Sequence, residues 1–308
     1  MNACLRAVVR ASLYHGLTPF GIYDGFNGMI KDQLREMKYK DVSNILQHGG
    51  TILGTARCKE FHEANHRKEA FGNLKAKNID ALIAIGGDGT FKGISIFSEE
   101  FDFPVIGIPG TIDNDINGTD YTIGFDTALN TIISAVDNIR DTAASHHRIF
   151  LVEVMGNESG TLALYSAAAS GAREVFIPEK KEDLPVIKKK VEQAIAANRS
   201  SIIIVSEGDE VGGAKELYDY LCEEGMGDKI RVSVLGHIQR GGSPSFRDRL
   251  NATLFGEKAV VSLLQGKTNM MVGIEKGELV LNHLSVSQEK KTPQNMDYLK
   301  LIRKLSVY

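Results

Sequence analysis

Tryptophan is absent from this chain of 308 residues, cysteine occurs three times, and no apolar run approaches the roughly 20 residues that a membrane-crossing helix needs. The missing run speaks against a helical membrane protein, and no signal-peptide pattern opens the chain. Cys4, Cys58 and Cys222 are odd in number and have no metal-like spacing. They suit a reducing cytoplasm and leave no disulfide framework. Neither sign of charge dominates. The net charge of −3 argues against a general nucleic-acid binder while leaving room for local basic pockets. Low-complexity tracts are missing as well. These absences predict a soluble, cytoplasmic, globular protein with no nucleic-acid or membrane partner.

What is present is a chain 43% hydrophobic and 24% charged, enough for one large core or two smaller ones. Leu5, Val8, Val9 and Leu13 predict a helix over Asn2–Tyr14, with Arg6 and Arg10 four apart on another face. A short strand and turn follow at 20–25, a glycine-punctuated loop at 49–57 and a helix at 66–77. The apolar run 80–85 reads as a strand buried on both faces. It leads through Gly86-Gly87-Asp88-Gly89-Thr90 into a helix reaching Phe97, and 103–108 supplies a second strand, making a βαβ unit. Strands at 149–155, 174–177, 201–205 and 232–235 then alternate with helices at 160–169, 184–197, up to Cys222 and at 246–264. A hairpin near Ile274 and Leu281 and a helix at 296–305 close the chain. This alternation predicts an α/β fold with two doubly wound, Rossmann-like lobes and mainly parallel sheets.

The stretch Pro109-Gly110-Thr111-Ile112-Asp113-Asn114-Asp115-Ile116 follows the buried strand at 103–108, where an open α/β sheet builds its site. Its residue types also suit an ordinary turn. On an extended backbone Asp113 and Asp115 point opposite ways, and Thr111 shares the side of Asp113. That makes Asp113 the better candidate for a base taking the proton from an attacking hydroxyl. In Gly86-Gly87-Asp88-Gly89-Thr90 the glycines let backbone N–H groups approach an anion at a helix N-terminus. Asp88 is a candidate Mg²⁺ ligand, since that hard ion prefers carboxylate and phosphate oxygen. The alternative is a tight strand–helix turn with an Asp cap. His146-His147-Arg148, Arg231 and the segment from His237 to Arg240 add cations beside strands, and Arg suits phosphate through its two-pronged fork. Each of these also reads as a solvated charge or a cap.

Four ordered motifs resemble the signatures of the bacterial-type 6-phosphofructokinases. They are Gly86-Gly87-Asp88-Gly89-Thr90, Pro109-Gly110-Thr111-Ile112-Asp113-Asn114-Asp115, Val152-Glu153-Val154-Met155-Gly156 and Leu235-Gly236-His237-Ile238-Gln239-Arg240-Gly241-Gly242-Ser243-Pro244. The resemblance implies transfer of the ATP γ-phosphoryl group to the 1-hydroxyl of fructose 6-phosphate, in glycolysis. It makes Asp113 the base, with Thr111 and Asp115 lining the transfer site and Asp88 serving Mg²⁺. It brings Arg57, Cys58, Gly87, Asp88, Gly89 and Thr90 to ATP. Met155, Gly156 and Glu207 go to the sugar and His237 and Arg240 to its 6-phosphate, with Ile112, Asn157, Ile238 and Gln239 in the same substrate-contacting stretches. Arg148 and Arg231 reach a neighbouring subunit's sugar phosphate, which implies a homotetramer. Residues 1–124 with 239–289 would form the nucleotide-binding lobe, and 125–238 with 290–308 the sugar-phosphate-binding lobe. Glycine at positions 89 and 110 goes with ATP rather than pyrophosphate as donor.

The resemblance also sets expectations where the chain departs from it. Family members carry a strand and a Gly-Gly-Asp-x-x-Gly loop before the segment matching Met1, so unpaired backbone and an uncovered phosphate site are expected here. Asn157 stands where Arg is usual. Arg6, Arg10 and Arg140 match basic residues of the family's ADP-type effector site. Tyr39, Ala196 and Asn198 replace further basic residues, and Arg173 an effector-metal Glu. A truncated, weakly active or non-catalytic sugar-phosphate-binding form and a pyrophosphate-dependent relative are the alternative readings.

Overall fold

The computed structural model describes residues 1–146, 148–196, 201–208, 212–289, 291 and 295–306. His147 and Asn198 lie outside the described residues. The chain is an α/β protein with mainly parallel sheets, and it divides into two compact units. The first comprises Met1–Thr111, Ile116–Gly124 and Ser243–Lys291, and the second Ile112–Asp115, Phe125–Gly242 and Thr292–Tyr308. These bounds differ from the expected lobes in three places. The four residues from Ile112 go with the second unit, the last change of unit falls after Lys291 rather than after 289, and the middle one falls after Gly242, so the whole turn containing His237 stays with the strand before it.

In the first unit, helix α1 (Asn2–Tyr14) is followed by a hairpin of β1 (Phe20–Ile22) and β2 (Leu34–Glu36), with α2 (Phe26–Ile30) between them. Helix α3 (Ala64–Ala76) leads to β3 (Leu82–Gly86), α4 (Asp88–Phe101) and β4 (Val105–Pro109). Strands β9 (Met270–Glu275) and β10 (Glu278–His283) complete a sheet of order β10-β9-β4-β3. The pairs β3–β4 and β4–β9 are parallel and β9–β10 is antiparallel. β4 is interior and buried at all five positions, as a strand covered on both faces must be. β3 takes the edge, and its three central residues are only half-buried, which corrects the expectation of a strand buried on both faces. Phe91, Phe97, Phe103, Leu74 and Ile94 fill the core on one side of this sheet. Ile106, Ile108, Phe255 and Val272, with Cys4 of α1, fill the other, beneath α9 (Phe246–Leu264).

The second unit holds a fully parallel sheet of order β6-β7-β5-β8. Its strands are β5 (Ile149–Val154), β6 (Glu174–Phe176), β7 (Ser201–Ser206) and β8 (Ile230–Val234). Helices α5 (Phe125–His146), α6 (Thr161–Ser170), α7 (Leu184–Ala196), α8 (Ala214–Glu223) and α10 (Asp297–Leu305) accompany them. Because β7, β5 and β8 are neighbours running the same way, the loops leaving their C-terminal ends lie side by side. Among the described residues, no helix is long and apolar enough to cross a membrane.

Candidate functional site

In the first unit the site grows from the end of β3. Gly86 is packed so closely that a Cβ there would come within 2.3 Å of Thr90 Oγ1, so only glycine fits. Gly87 precedes the first residue of α4, and Asp88 opens that helix, where a carboxylate complements the positive end of the dipole. Lys92, one turn along, places its Nζ 2.6 Å from Asp88 Oδ2. Gly89 is exposed and faces open space. Gly110 N–H donates to Gly86 O at 2.9 Å, tying the end of β4 to the glycine loop, and a Cβ on Gly87 would touch Thr111 Cβ at 3.5 Å. Thr122 Oγ1 donates to Thr111 O at 2.6 Å. The structure therefore brings the glycine loop, Asp88 and Thr111 together. Arg57 is exposed on its loop, while Cys58 packs half-buried against the core cluster that includes Phe91 and Ile94 of α4. Burial raises the Cys58 thiol pKa, which suits a packing role better than a reactive one.

The second unit gathers the other candidates at the ends of β5, β7 and β8. Past the end of β5, Met155 N–H donates to Gln239 Oε1 at 3.1 Å. The next two amides, Gly156 and Asn157, donate to Glu207 Oε1 at 3.3 and 2.9 Å. Glu207 is itself fixed by its N–H on Val154 O at 2.9 Å, so the β7 carboxylate grips the β5 loop. Asn157 adopts the left-handed conformation (φ +52°), which asparagine tolerates better than most residues. Gly160 N–H donates to Glu179 Oε1 at 2.8 Å at the start of α6. After β8, Leu235 N–H donates to Glu153 O at 3.1 Å, and the chain coils into a 3₁₀ turn, Gly236–Arg240, that leaves His237, Ile238 and Arg240 exposed. Gln239 in the same turn is buried. Arg231 donates through Nη1 to Gly227 O and Ile230 O, and Arg148 lies half-buried at the start of β5.

The acidic stretch joins this group through its backbone. Ser159 Oγ donates to Asp113 O at 3.2 Å, anchoring the Asp113 turn to the loop after β5. Asn114 is buried with φ +52°, so the backbone between Asp113 and Asp115 is not extended. The extended-strand geometry expected for these two carboxylates is corrected: a left-handed residue stands between them. Among the remaining candidates, Arg6 and Arg10 are neighbours on α1. Burial first, and then the charge of Arg10, lowers the Arg6 pKa, and the Arg10 guanidinium sits over the Tyr39 ring at 5.7 Å. Arg140 belongs to the other unit and donates to Ser170 O at 2.5 Å at the end of α6.

A family model described as phosphofructokinase matches residues 1–263. The chain belongs to the phosphofructokinase family. It is 46% identical over 308 residues to an ATP-dependent 6-phosphofructokinase 2 of Bacteroides thetaiotaomicron, covering all of this chain and 94% of that one. It is also 46% identical to an ATP-dependent 6-phosphofructokinase of Halalkalibacterium halodurans, covering all of this chain and 95% of that one. Among solved structures, the Pichia pastoris phosphofructokinase in the T-state matches with a TM-score of 0.87 at 38% identity, over 94% of this chain and 34% of that longer one. Within the phosphofructokinase framework, three side chains at the site were not expected from the sequence: Lys92, Ser159 and Glu179. Lys92 was in reach, since it stands four residues after Asp88 on a helix. Ser159 and its partner Asp113 are 46 residues apart, and no local pattern joins them.

Proposed function

We propose that this chain transfers the γ-phosphoryl group of ATP to the 1-hydroxyl of fructose 6-phosphate, giving ADP and fructose 1,6-bisphosphate. One observation carries the reading. A chain of this family carries a glycine loop at the head of α4 and, at the ends of three adjacent parallel strands, a group of backbone amides, a carboxylate and exposed cations. In this reading Asp113 accepts the proton of the 1-hydroxyl as that oxygen bonds to the γ-phosphorus and the bond to the β-phosphate oxygen breaks. Thr111 and Asp115 line the transfer site. The N–H groups of Gly87, Asp88 and Gly89 face the ATP phosphates, with Thr90, Arg57 and Cys58 beside the nucleotide. Met155, Gly156 and Glu207 hold the sugar, and His237 and Arg240 its 6-phosphate.

Mg²⁺ fits the donor set present. Among the described residues no group of three or more His, Cys, Asp or Glu is arranged to enclose a metal, and Mg²⁺ does not need one. It keeps waters and takes one or two carboxylates plus substrate phosphates, so a single half-exposed Asp88 suffices. When bound, the ion supplies neutralising charge to the transferring phosphates. The three cysteines are free, as a reducing cytoplasm leaves them. The assembly in this reading is a homotetramer, with Arg148 and Arg231 serving a neighbour's substrate.

A coupled assay with ATP and fructose 6-phosphate tests the proposal, with pyrophosphate as the competing donor. Asp113→Asn is expected to lower kcat on the order of 10²- to 10⁴-fold, the usual range for a general base, with Kd for fructose 6-phosphate held within about threefold. A variant with wild-type kcat would remove Asp113 from the base role. Turnover with pyrophosphate but not ATP would replace the donor.

A further inference from the structure

Gln239 lies in the middle of the turn that exposes His237 and Arg240, yet its own side chain is only 1% exposed. Both ends of its amide are engaged. Oε1 accepts from Met155 N–H at 3.1 Å, and Nε2 donates to Gly236 O at 2.9 Å. The two partners fix the amide's orientation, because Met155 N–H can only donate and Gly236 O can only accept. The placement also extends the sheet. Backbone pairing between β5 and β8 ends at Glu153 with Val234, and Leu235 N–H adds one bond to Glu153 O. Beyond that point both strands turn away, and the Gln239 amide supplies the next rung to Met155. One buried side chain thus joins the β5 loop to the β8 turn at the level where each leaves the sheet.

We propose that Gln239 is a positioning residue that sets the separation between the Met155–Gly156 backbone and the His237 and Arg240 side chains. This rests on the reading of fructose 6-phosphate as acceptor. A ligand held by its sugar at one end and its phosphate at the other feels that separation. A ligand that occupies the turn alone does not.

The test compares the two kinds of ligand on the full-length protein. Gln239→Met keeps the length of the side chain and removes both polar atoms. Gln239→Glu keeps an acceptor for Met155 N–H and loses the donor to Gly236 O. Calorimetry gives Kd for fructose 6-phosphate and for inorganic phosphate, and steady-state assays give KM for ATP. Gln239→Met is expected to weaken fructose 6-phosphate at least tenfold while phosphate binding and KM for ATP each change less than twofold. Gln239→Glu should show the same split at smaller size, and it serves as the measurement if the methionine variant does not fold. Unchanged fructose 6-phosphate binding overturns the proposal. So does a parallel loss of both ligands, which would mean that the turn had simply collapsed. The wild type decides the underlying reading separately: if it binds fructose 6-phosphate no better than inorganic phosphate, the acceptor assignment is wrong.

Discussion

Gly89 and Gly110 look alike in the sequence, and their surroundings differ. A Cβ added at Gly110 would sit 3.0 Å from Ile85 Cγ2, a contact relieved only if that methyl gives by a few tenths of an ångström. At Gly89 an added Cβ meets nothing within 4 Å, and the position is exposed in the first turn of α4. Packing gives no reason for glycine there, and helix propensity and the dipole both favour aspartate over it. The remaining reason is what must approach from outside, which in the proposed function is a polyphosphate. Gly89→Asp is therefore expected to keep or raise Tm while kcat/KM for ATP falls at least about 100-fold, equivalent to about 2.7 kcal/mol. Gly110→Ala, the comparison, tests packing instead: its Tm reports whether Ile85 can shift to admit the methyl. Thermal melts and donor kinetics on both variants check this. An ATP-competent Gly89→Asp enzyme would leave the glycine unexplained. At this scale the sequence marks candidate residues but not which of them face inward. Gln239 and Arg240 are adjacent in one motif, and only the fold makes one a buried brace and the other an exposed cation.

Helix α10 shows how an element is held by partners that lie far off in sequence. Leu299 and Ile302 are buried, as their helical spacing suggests, but the charged side of the helix is also engaged. Arg303 Nε reaches both oxygens of Glu174, at 3.1 and 3.2 Å, and its Nη2 lies 2.5 Å from Glu182 Oε1. Lys190 of α7 bonds both carboxylates as well, with Glu174 Oε2 at 2.9 Å. Burial raises the Glu182 pKa, and the hydrogen bonds from Lys190 and Arg303 outweigh it, holding the carboxyl below its ordinary value of 4.5. A depressed carboxylate stabilises the fold above the unfolded pKa, and that contribution is lost as pH falls through the folded value. Removing Arg303 leaves two nearly buried carboxylates with Lys190 and, at 3.8 Å from Glu182 Oε1, Lys180. Arg303→Met is expected to cost about 2 kcal/mol near pH 7, less than a fully buried pair because Arg303 keeps a third of its surface in solvent. The cost should shrink as pH falls below 4.5 and Glu182 protonates. Urea unfolding at pH 7 and pH 3 checks it, and a pH-independent cost would show that lost packing, not charge, is responsible. The helix was legible from Leu299 and Ile302. Its partners, 121 and 129 residues away, were not. α5 was harder still: two of the five residues on its buried stripe, Phe125, Ala128, Ile132, Val136 and Ala143, are alanines, too small to give a strong periodic signal. β2 is three residues long and carries Arg35 and Glu36, so nothing in Leu34-Arg35-Glu36 announces a strand.

At the scale of the whole molecule, alternation of apolar strands and amphipathic helices was enough to anticipate parallel sheets, because a parallel crossover needs a helix between its strands. It could not say where the chain changes unit, since that depends on contacts distant in sequence. Each unit has hydrophobic clusters of its own, Phe91 and Phe97 in one and Ile203 and Val205 in the other. The proposed division of labour then has a consequence that hydrogen exchange can read, because a ligand that binds the native state suppresses opening of the segments it holds. Fructose 6-phosphate alone should slow exchange at 153–160, 207–208 and 235–241, all in the second unit. A non-hydrolysable ATP analogue alone should slow it at 86–92, in the first. Gly156 and Asn157 are the informative amides on the sugar side, since Glu207 already holds them and protection there must exceed an existing hydrogen bond. Protection that appears in the opposite units would reverse the assignment of nucleotide and sugar phosphate. Equal protection of both units by either ligand would abolish it.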